Sequence, residues 1–242
     1  MLDDKQYWIE RHKAEKDKIA SVGSRKYSET ANYYIYKILT ERYKLVLDML
    51  SMPAEKSALD AGCGIGLFSD FLHEYGFKVT AADISQTGLD RIKTPGITKV
   101  CSPISEIKGD EKSFDVVHSF DVLYHILDDD EWKRSLDNIC RLSGKYVILH
   151  ERFFKTKPII SSAHLNARTH SQTTKIMNDN GFHEVISFPT HMIALRILTF
   201  RISQYFPETF YKIDKYLLNR LENKKIRKFG SHFIKVFERN RT

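Results

Sequence analysis

The stretch Leu59-Asp60-Ala61-Gly62-Cys63-Gly64-Ile65-Gly66-Leu67-Phe68 sets an acidic residue and three glycines between two apolar segments. Upstream, Ser57-Ala58-Leu59 reads as the end of a buried strand. Downstream, Leu67, Phe68, Phe71 and Leu72 recur with the period of an amphipathic helix that stops at Gly76. A chain that passes from strand to helix in so few residues turns sharply, and glycine permits both a positive φ and close approach of backbone to a ligand. Strand, glycine turn and helix in this order make a nucleotide-binding turn, with a purely structural turn as the plain alternative. The dinucleotide fingerprint G-x-G-x-x-G would place a glycine where Leu67 stands; here the third glycine arrives one residue early, at Gly66.

Working outward, strands and helices alternate. Periodicity predicts helices over 1–21 and 28–52, the latter with Tyr36, Leu39, Tyr43, Leu47 and Leu50 on one side. After Pro53 it predicts strands at 57–59, 78–82, 98–101, 114–120, 145–150 and 183–188. Between them fall helices at 67–75, 86–92, 129–141 and 169–180. Such alternation is the pattern of an α/β protein, a parallel sheet with helices on both faces. The closing segment 231–238 alternates apolar and polar residues as a further strand does.

The pattern D-x-G-x-G-x-G at 60–66 resembles the first motif of the class I S-adenosylmethionine-dependent methyltransferases. Lys78-Val79-Thr80-Ala81-Ala82-Asp83 is similar to the family's second strand, ending in an acid. The run Phe114-Asp115-Val116-Val117-His118-Ser119-Phe120-Asp121-Val122-Leu123-Tyr124-His125 is similar to its fourth strand and the turn after it. The resemblance covers roughly residues 55 to 238. It implies a doubly wound, mostly parallel seven-stranded sheet with an antiparallel last strand, an N-terminal helical cover and a helical insertion between strands six and seven. The expected domains are a cover at 1–54, a Rossmann-like methyltransferase domain at 55–190 and 229–242, and a basic insertion at 191–228.

The resemblance also implies the cofactor, S-adenosyl-L-methionine, and residues that would hold it: Asp60, Gly62, Gly64, Gly66, Asp83, Ile84, Ser102, Ser119 and Phe120. Asp83 would accept the ribose hydroxyls; its plain alternative is a helix N-cap. The family often has an acid after strand three for the adenine amino group, whereas Val100-Cys101-Ser102-Pro103 offers only Ser102. Tyr27 and Tyr33 in the N-terminal cover could contact the cofactor, or simply pack. Methyl transfer to a hydroxyl needs alignment and a base, and histidine is the usual base near neutral pH. His125, just past strand four, and His150, at the carboxyl end of strand five, are the catalytic candidates, each with a structural hydrogen bond as the alternative. His118 falls inside a strand and reads as core. Tyr124, Glu151, Arg152, His164 and Arg168 are candidate acceptor contacts. No ligand spacing calls for a metal.

Composition locates the remaining signals. Of 38 Lys and Arg and 31 Asp and Glu in 242 residues, segment 201–242 holds eleven of the former and four of the latter, the whole net charge of +7. A patch so local favours an anionic acceptor or peripheral contact with a membrane surface through 201–228. Three scattered cysteines, Cys63, Cys101 and Cys140, suit a reducing compartment. Met1-Leu2-Asp3-Asp4-Lys5 does not read as a signal peptide, so a cytoplasmic protein is expected, with the inner face of a membrane as its peripheral site.

The leading expectation is O-methylation of a small molecule or saccharide, lipid-linked or phosphorylated, in a polysaccharide or secondary-metabolite pathway. An RNA methyltransferase is the rival that the basic segment motivates, and it ranks lower. A non-catalytic cofactor-binding regulator is another. A nicotinamide oxidoreductase is disfavoured by Leu67. Acceptor and oligomeric state stay open at this point.

Overall fold

The computed structural model describes residues 4–15, 19–53, 55–151, 165–166, 168–191, 200–220 and 232–241. Its elements in chain order are α1 (Asp4–Ala14), a 3-10 turn (Ile19–Ser21), α2 (Glu29–Met49), β1 (Lys56–Ala61), α3 (Leu67–Glu74), β2 (Phe77–Asp83), α4 (Gln86–Leu89) and β3 (Thr98–Cys101). There follow β4 (Phe114–Phe120), α5 (Asp129–Leu142), β5 (Ser143–Glu151), α6 (His170–Asp179), β6 (Phe182–His191), α7 (Phe200–Ser203), α8 (Pro207–Arg220) and β7 (His232–Arg239).

The strands form one seven-stranded sheet in the order β3-β2-β1-β4-β5-β7-β6, with the last strand antiparallel. β1 pairs in parallel with β2 and with β4, β2 with β3, and β4 with β5. The order reverses at β1, which lies between β2 and β4, so the carboxyl ends of these strands open a crevice where such sheets bind ligands. The glycine turn leaves β1 at that switch point. The central strands are buried on both faces; β1 and β4 each end in a run of buried residues. Leu59, Ala82, Val117, Leu136, Val147, Leu149, Met177 and Phe237 make the core between sheet and helices.

Local chemistry sets the helix ends. Asp128 caps α5 by accepting from Glu131 N, and Thr169 and Gln172 form a reciprocal capping box on α6. The helix expected over 86–92 is shorter, because after Leu89 the bonding tightens to Arg91 N with Gly88 O and Ile92 N with Leu89 O.

The chain divides into two compact units, Met1–Ala14 with Met52–Ile186 and Lys235–Thr242, and Glu15–Ser51 with Ser187–Ile234. The first carries α1 with the glycine turn. In the second, α2 packs on α8 through Ile38, Tyr211 and Leu218, and Tyr211 Oη donates to Glu41 Oε1 at 2.6 Å. Much of the expected insertion lies outside the described residues; within 200–220 it is helical as expected.

Candidate active site

Two backbone N–H groups of the turn, those of Gly62 and Cys63, both donate to Ala82 O, at 2.8 and 2.9 Å, tying the end of β1 to the end of β2. That geometry needs a positive φ at Gly62 (85°), and a Cβ there would meet the Val122 methyls at 2.6 Å. Gly64 N donates to Asp83 Oδ2 and Ser85 N to Asp83 Oδ1, each at 2.8 Å. Asp83 is therefore built into the turn. Burial pushes its carboxyl up to about 6, against the pull of the Ser85 and Gly64 N–H groups. Each of its oxygens still has acceptor capacity beyond one backbone bond, as a ribose diol requires.

Asp60 plays a different part. Its carboxylate accepts from Ser69 Oγ at 2.6 Å and stands 3.1 Å from His118 Nε2, all three side chains buried. Register explains the meeting, since Asp60 and His118 are direct partners across β1 and β4. The acid of the motif thus braces α3 and β4 under the turn. Ser119 is fully buried, its Oγ without a hydrogen-bond partner among the described residues. Phe120 stacks edge-on against Phe68 and His118. Ile84 and Ser102 are half-buried beside Asp83, and Ser102 N donates to Asp83 O at 3.0 Å. Tyr27 and Tyr33 belong to the second unit, Tyr27 buried and Tyr33 exposed.

Beyond β4 the chain turns through Asp121, a non-glycine residue at φ 59°. Asp121 N donates to His150 O at 2.8 Å, which places its carboxylate at the end of β5. There Oδ2 lies 3.0 Å from His150 Nδ1, and Oδ1 accepts from Tyr124 Oη at 3.2 Å. His150 itself is 2% exposed. The next residue, Glu151, faces the other way, as strand neighbours do. It accepts from Val122 N, Leu123 N and Tyr124 N at 3.2, 3.0 and 3.2 Å. Burial, then the nearby Asp121, pushes its carboxyl up to about 8 in spite of those three donors.

Arg168 fixes the following loop. Its guanidinium donates to Ile126 O, Leu127 O and Asn166 O and pairs with Asp129 at 2.7 Å, while stacking over Trp132. It holds the 126–129 backbone in place. His125 lies tilted against Tyr124 and takes Trp8 of α1 edge-on, the latter pair with centroids 4.6 Å apart. Arg152 and His164 lie outside the described residues. Among the described residues, no group of three or more His, Cys, Asp or Glu could hold a metal.

Sequence reading gave no site role to Asp121 or Trp8. An aspartate directly after a strand is a signal for a left-handed turn, but its partner His150 is 29 residues away. Nothing in a helical pattern says where α1 docks.

Fold and motifs together define a methyltransferase domain: residues 59–148 match the family model described as a methyltransferase domain, the stretch that holds the glycine turn, the end of β2 and the turn after β4. Among curated relatives, a ubiquinone biosynthesis O-methyltransferase of Coxiella burnetii is 29% identical over 96 residues, 37% of this chain and 41% of that protein. A phosphoethanolamine N-methyltransferase of Triticum aestivum is 29% identical over 171 residues, 65% of this chain and 34% of its own length. The chain thus spans about two fifths or less of these relatives, 41% and 34%. Among solved structures, magnesium protoporphyrin IX methyltransferase from Synechocystis PCC 6803 with bound S-adenosylmethionine superposes with TM-score 0.64 at 18% identity, covering 99% of each chain. That likeness is one of fold.

Proposed function

We propose that the protein binds S-adenosylmethionine at the glycine turn and transfers its methyl group to a hydroxyl oxygen of a small acceptor. The observation that carries the choice of oxygen is the His150–Asp121 pair at 3.0 Å. Asp83, with Gly64 and Ser85 fixing both of its oxygens, is the residue to receive the ribose hydroxyls, and Gly62 leaves the backbone low enough for close approach. The fit is chemical: an acid at the end of β2 suits a diol. When bound, the cofactor supplies an electrophilic methyl group on a sulfonium.

The residues at β4 and β5 supply the rest. Asp121 holds the Nδ1 proton of His150, which leaves Nε2 as the basic nitrogen. His150 Nε2 would take the proton of the acceptor O–H and Asp121 would stabilise the resulting imidazolium; the cofactor, once bound, would supply the methyl group to that oxygen and leave, its sulfur–methyl bond broken, as S-adenosylhomocysteine. Tyr124 and Arg168 shape the acceptor mouth, the first through Asp121 and the second through the 126–129 backbone.

An anionic or membrane-associated acceptor fits the second unit. Ile202, Tyr205, Phe206, Ile213 and Tyr216 expose large apolar side chains in the same segment that carries the excess positive charge. Such a combination suits the interface of an anionic bilayer. No helix among the described residues is long and apolar enough to cross one.

The test uses methyl-labelled S-adenosylmethionine and a cell extract, with the labelled product identified by mass. Wild-type protein is expected to yield an O-methyl product, and Asp121→Asn to lower turnover on the order of 10²- to 10⁴-fold while S-adenosylhomocysteine affinity holds. An N-methyl product, or full turnover by Asp121→Asn, contradicts the oxygen assignment.

A further inference from the structure

His12, on α1, is 2% exposed, and neither of its ring nitrogens has a hydrogen-bond partner among the described residues. A buried polar group left so is costly, roughly 1–3 kcal/mol, and is a sign that something completes it. The ring's place is specific. A Cβ on Gly88 would come within 2.9 Å of His12 Nδ1 and 2.5 Å of Gly64 O, so only glycine at 88 lets α1, α4 and the turn meet there. The same Gly64 peptide unit is anchored from its N–H to Asp83 Oδ2 at 2.8 Å. His12 therefore stands one residue of the turn away from the carboxylate assigned to the ribose.

Burial, then Arg11 and Arg91, hold the imidazole down to about 4, so at working pH the ring is neutral. A neutral imidazole offers one N–H donor and one lone pair. The two nitrogens point apart, so a single hydroxyl meets one of them, and it can serve either, accepting from the N–H or donating to the lone pair. A carboxylate would satisfy only the donor. One helical turn earlier on the same face of α1, Trp8 lies against His125. The helix that delivers His12 to the cofactor turn thus also reaches the end of the acceptor loop.

We propose that His12 is a cofactor contact which, beside Asp83, hydrogen-bonds a ribose hydroxyl of S-adenosylmethionine. The proposal rests on the reading that this turn binds S-adenosylmethionine. Ordered waters on the ring nitrogens are the alternative, and they make a different forecast.

The test compares wild type with His12→Phe, which keeps a ring and removes both nitrogens. Calorimetry with S-adenosylhomocysteine and, separately, with adenosine is read alongside the melting temperature of the ligand-free protein. The expected result is a loss of roughly three- to tenfold in affinity for both ligands, the worth of one net hydrogen bond. The ligand-free melting temperature should hold or rise, since two unpaired buried nitrogens are gone. Unchanged affinity overturns the proposal in favour of water. A fall in affinity that appears only with a fall in ligand-free melting temperature overturns it in favour of a packing role. Should His12→Phe not fold, ring-nitrogen NMR of wild type decides: addition of S-adenosylhomocysteine is expected to shift the His12 signals, and unmoved signals overturn the contact. Wild type that binds no S-adenosylhomocysteine at all fails the cofactor reading itself, which is a separate result.

Discussion

Asp83 is both an anchor of the glycine turn and the residue proposed to meet the ribose, and its burial sets fold stability and ribose binding in opposite directions with pH. Its folded pKa is raised from 3.8 to about 6. The folded state then holds the proton more tightly than the unfolded chain, so the group's contribution to stability is greatest below about pH 4 and declines as pH rises through about 6, by about 3 kcal/mol in all. Acceptance of ribose hydroxyls needs the ionised form. Calorimetry with S-adenosylhomocysteine is therefore expected to show affinity strengthening as pH rises through about 6, and Asp83→Asn to flatten the dependence. A flat wild-type profile would place the ribose elsewhere. This residue was legible in sequence because its relation to the turn is short-range and repeats a family pattern. Asp60 was legible as part of the motif but not in its role, since the bond to Ser69 and the pairing with His118 exist only once β1 and β4 lie side by side.

Among the elements, the loop leaving β4 is the one whose order depends on a single buried group. Glu151 accepts from three successive backbone N–H groups, and with Asp121 holding His150 and Tyr124 it sets the loop's shape. With its carboxyl pushed from 4.5 to about 8, Glu151 destabilises the fold progressively as pH rises through that window. Glu151→Gln keeps an acceptor and removes the titration. Its melting temperature relative to wild type is expected to climb between about pH 4.5 and 8 and to level off above; a constant difference across that range would show that the three N–H bonds keep the carboxylate ionised without cost. Strand and helix identities here followed from period, apart from the shortened α4 and the first helix, expected over 1–21, which ends at Ala14 with a separate 3-10 turn at Ile19–Ser21. Side-chain pairings across strands did not, because His150 and Asp121 are brought together by parallel register, Phe120 lying opposite His150. The docking of α1, with Trp8 on His125 and His12 by Gly64, depends on space left by Gly88, which no periodicity reports.

For the molecule as a whole, charge and fold divide the labour. The strand ends and glycine turn belong to the first unit, and the exposed aromatics of 202–216 to the second. If the acceptor is presented by an anionic surface, the protein should sediment with phosphatidylglycerol vesicles and not with phosphatidylcholine. Binding should weaken as salt is raised, and Tyr205→Ser with Phe206→Ser should lower it several-fold, each exposed aromatic contributing about 1–2 kcal/mol of apolar burial at most. Equal binding to both vesicle types would remove the anionic surface from the account. The central claim is that the turn at 60–66 and Asp83 form a site for S-adenosylmethionine. The most direct measurement is calorimetric titration of wild type and Asp83→Ala with S-adenosylhomocysteine at neutral pH. Saturable binding by wild type and a loss of at least about tenfold in Asp83→Ala, with the fold intact, is the expected result; no binding by wild type, or equal affinity in the variant, would contradict it.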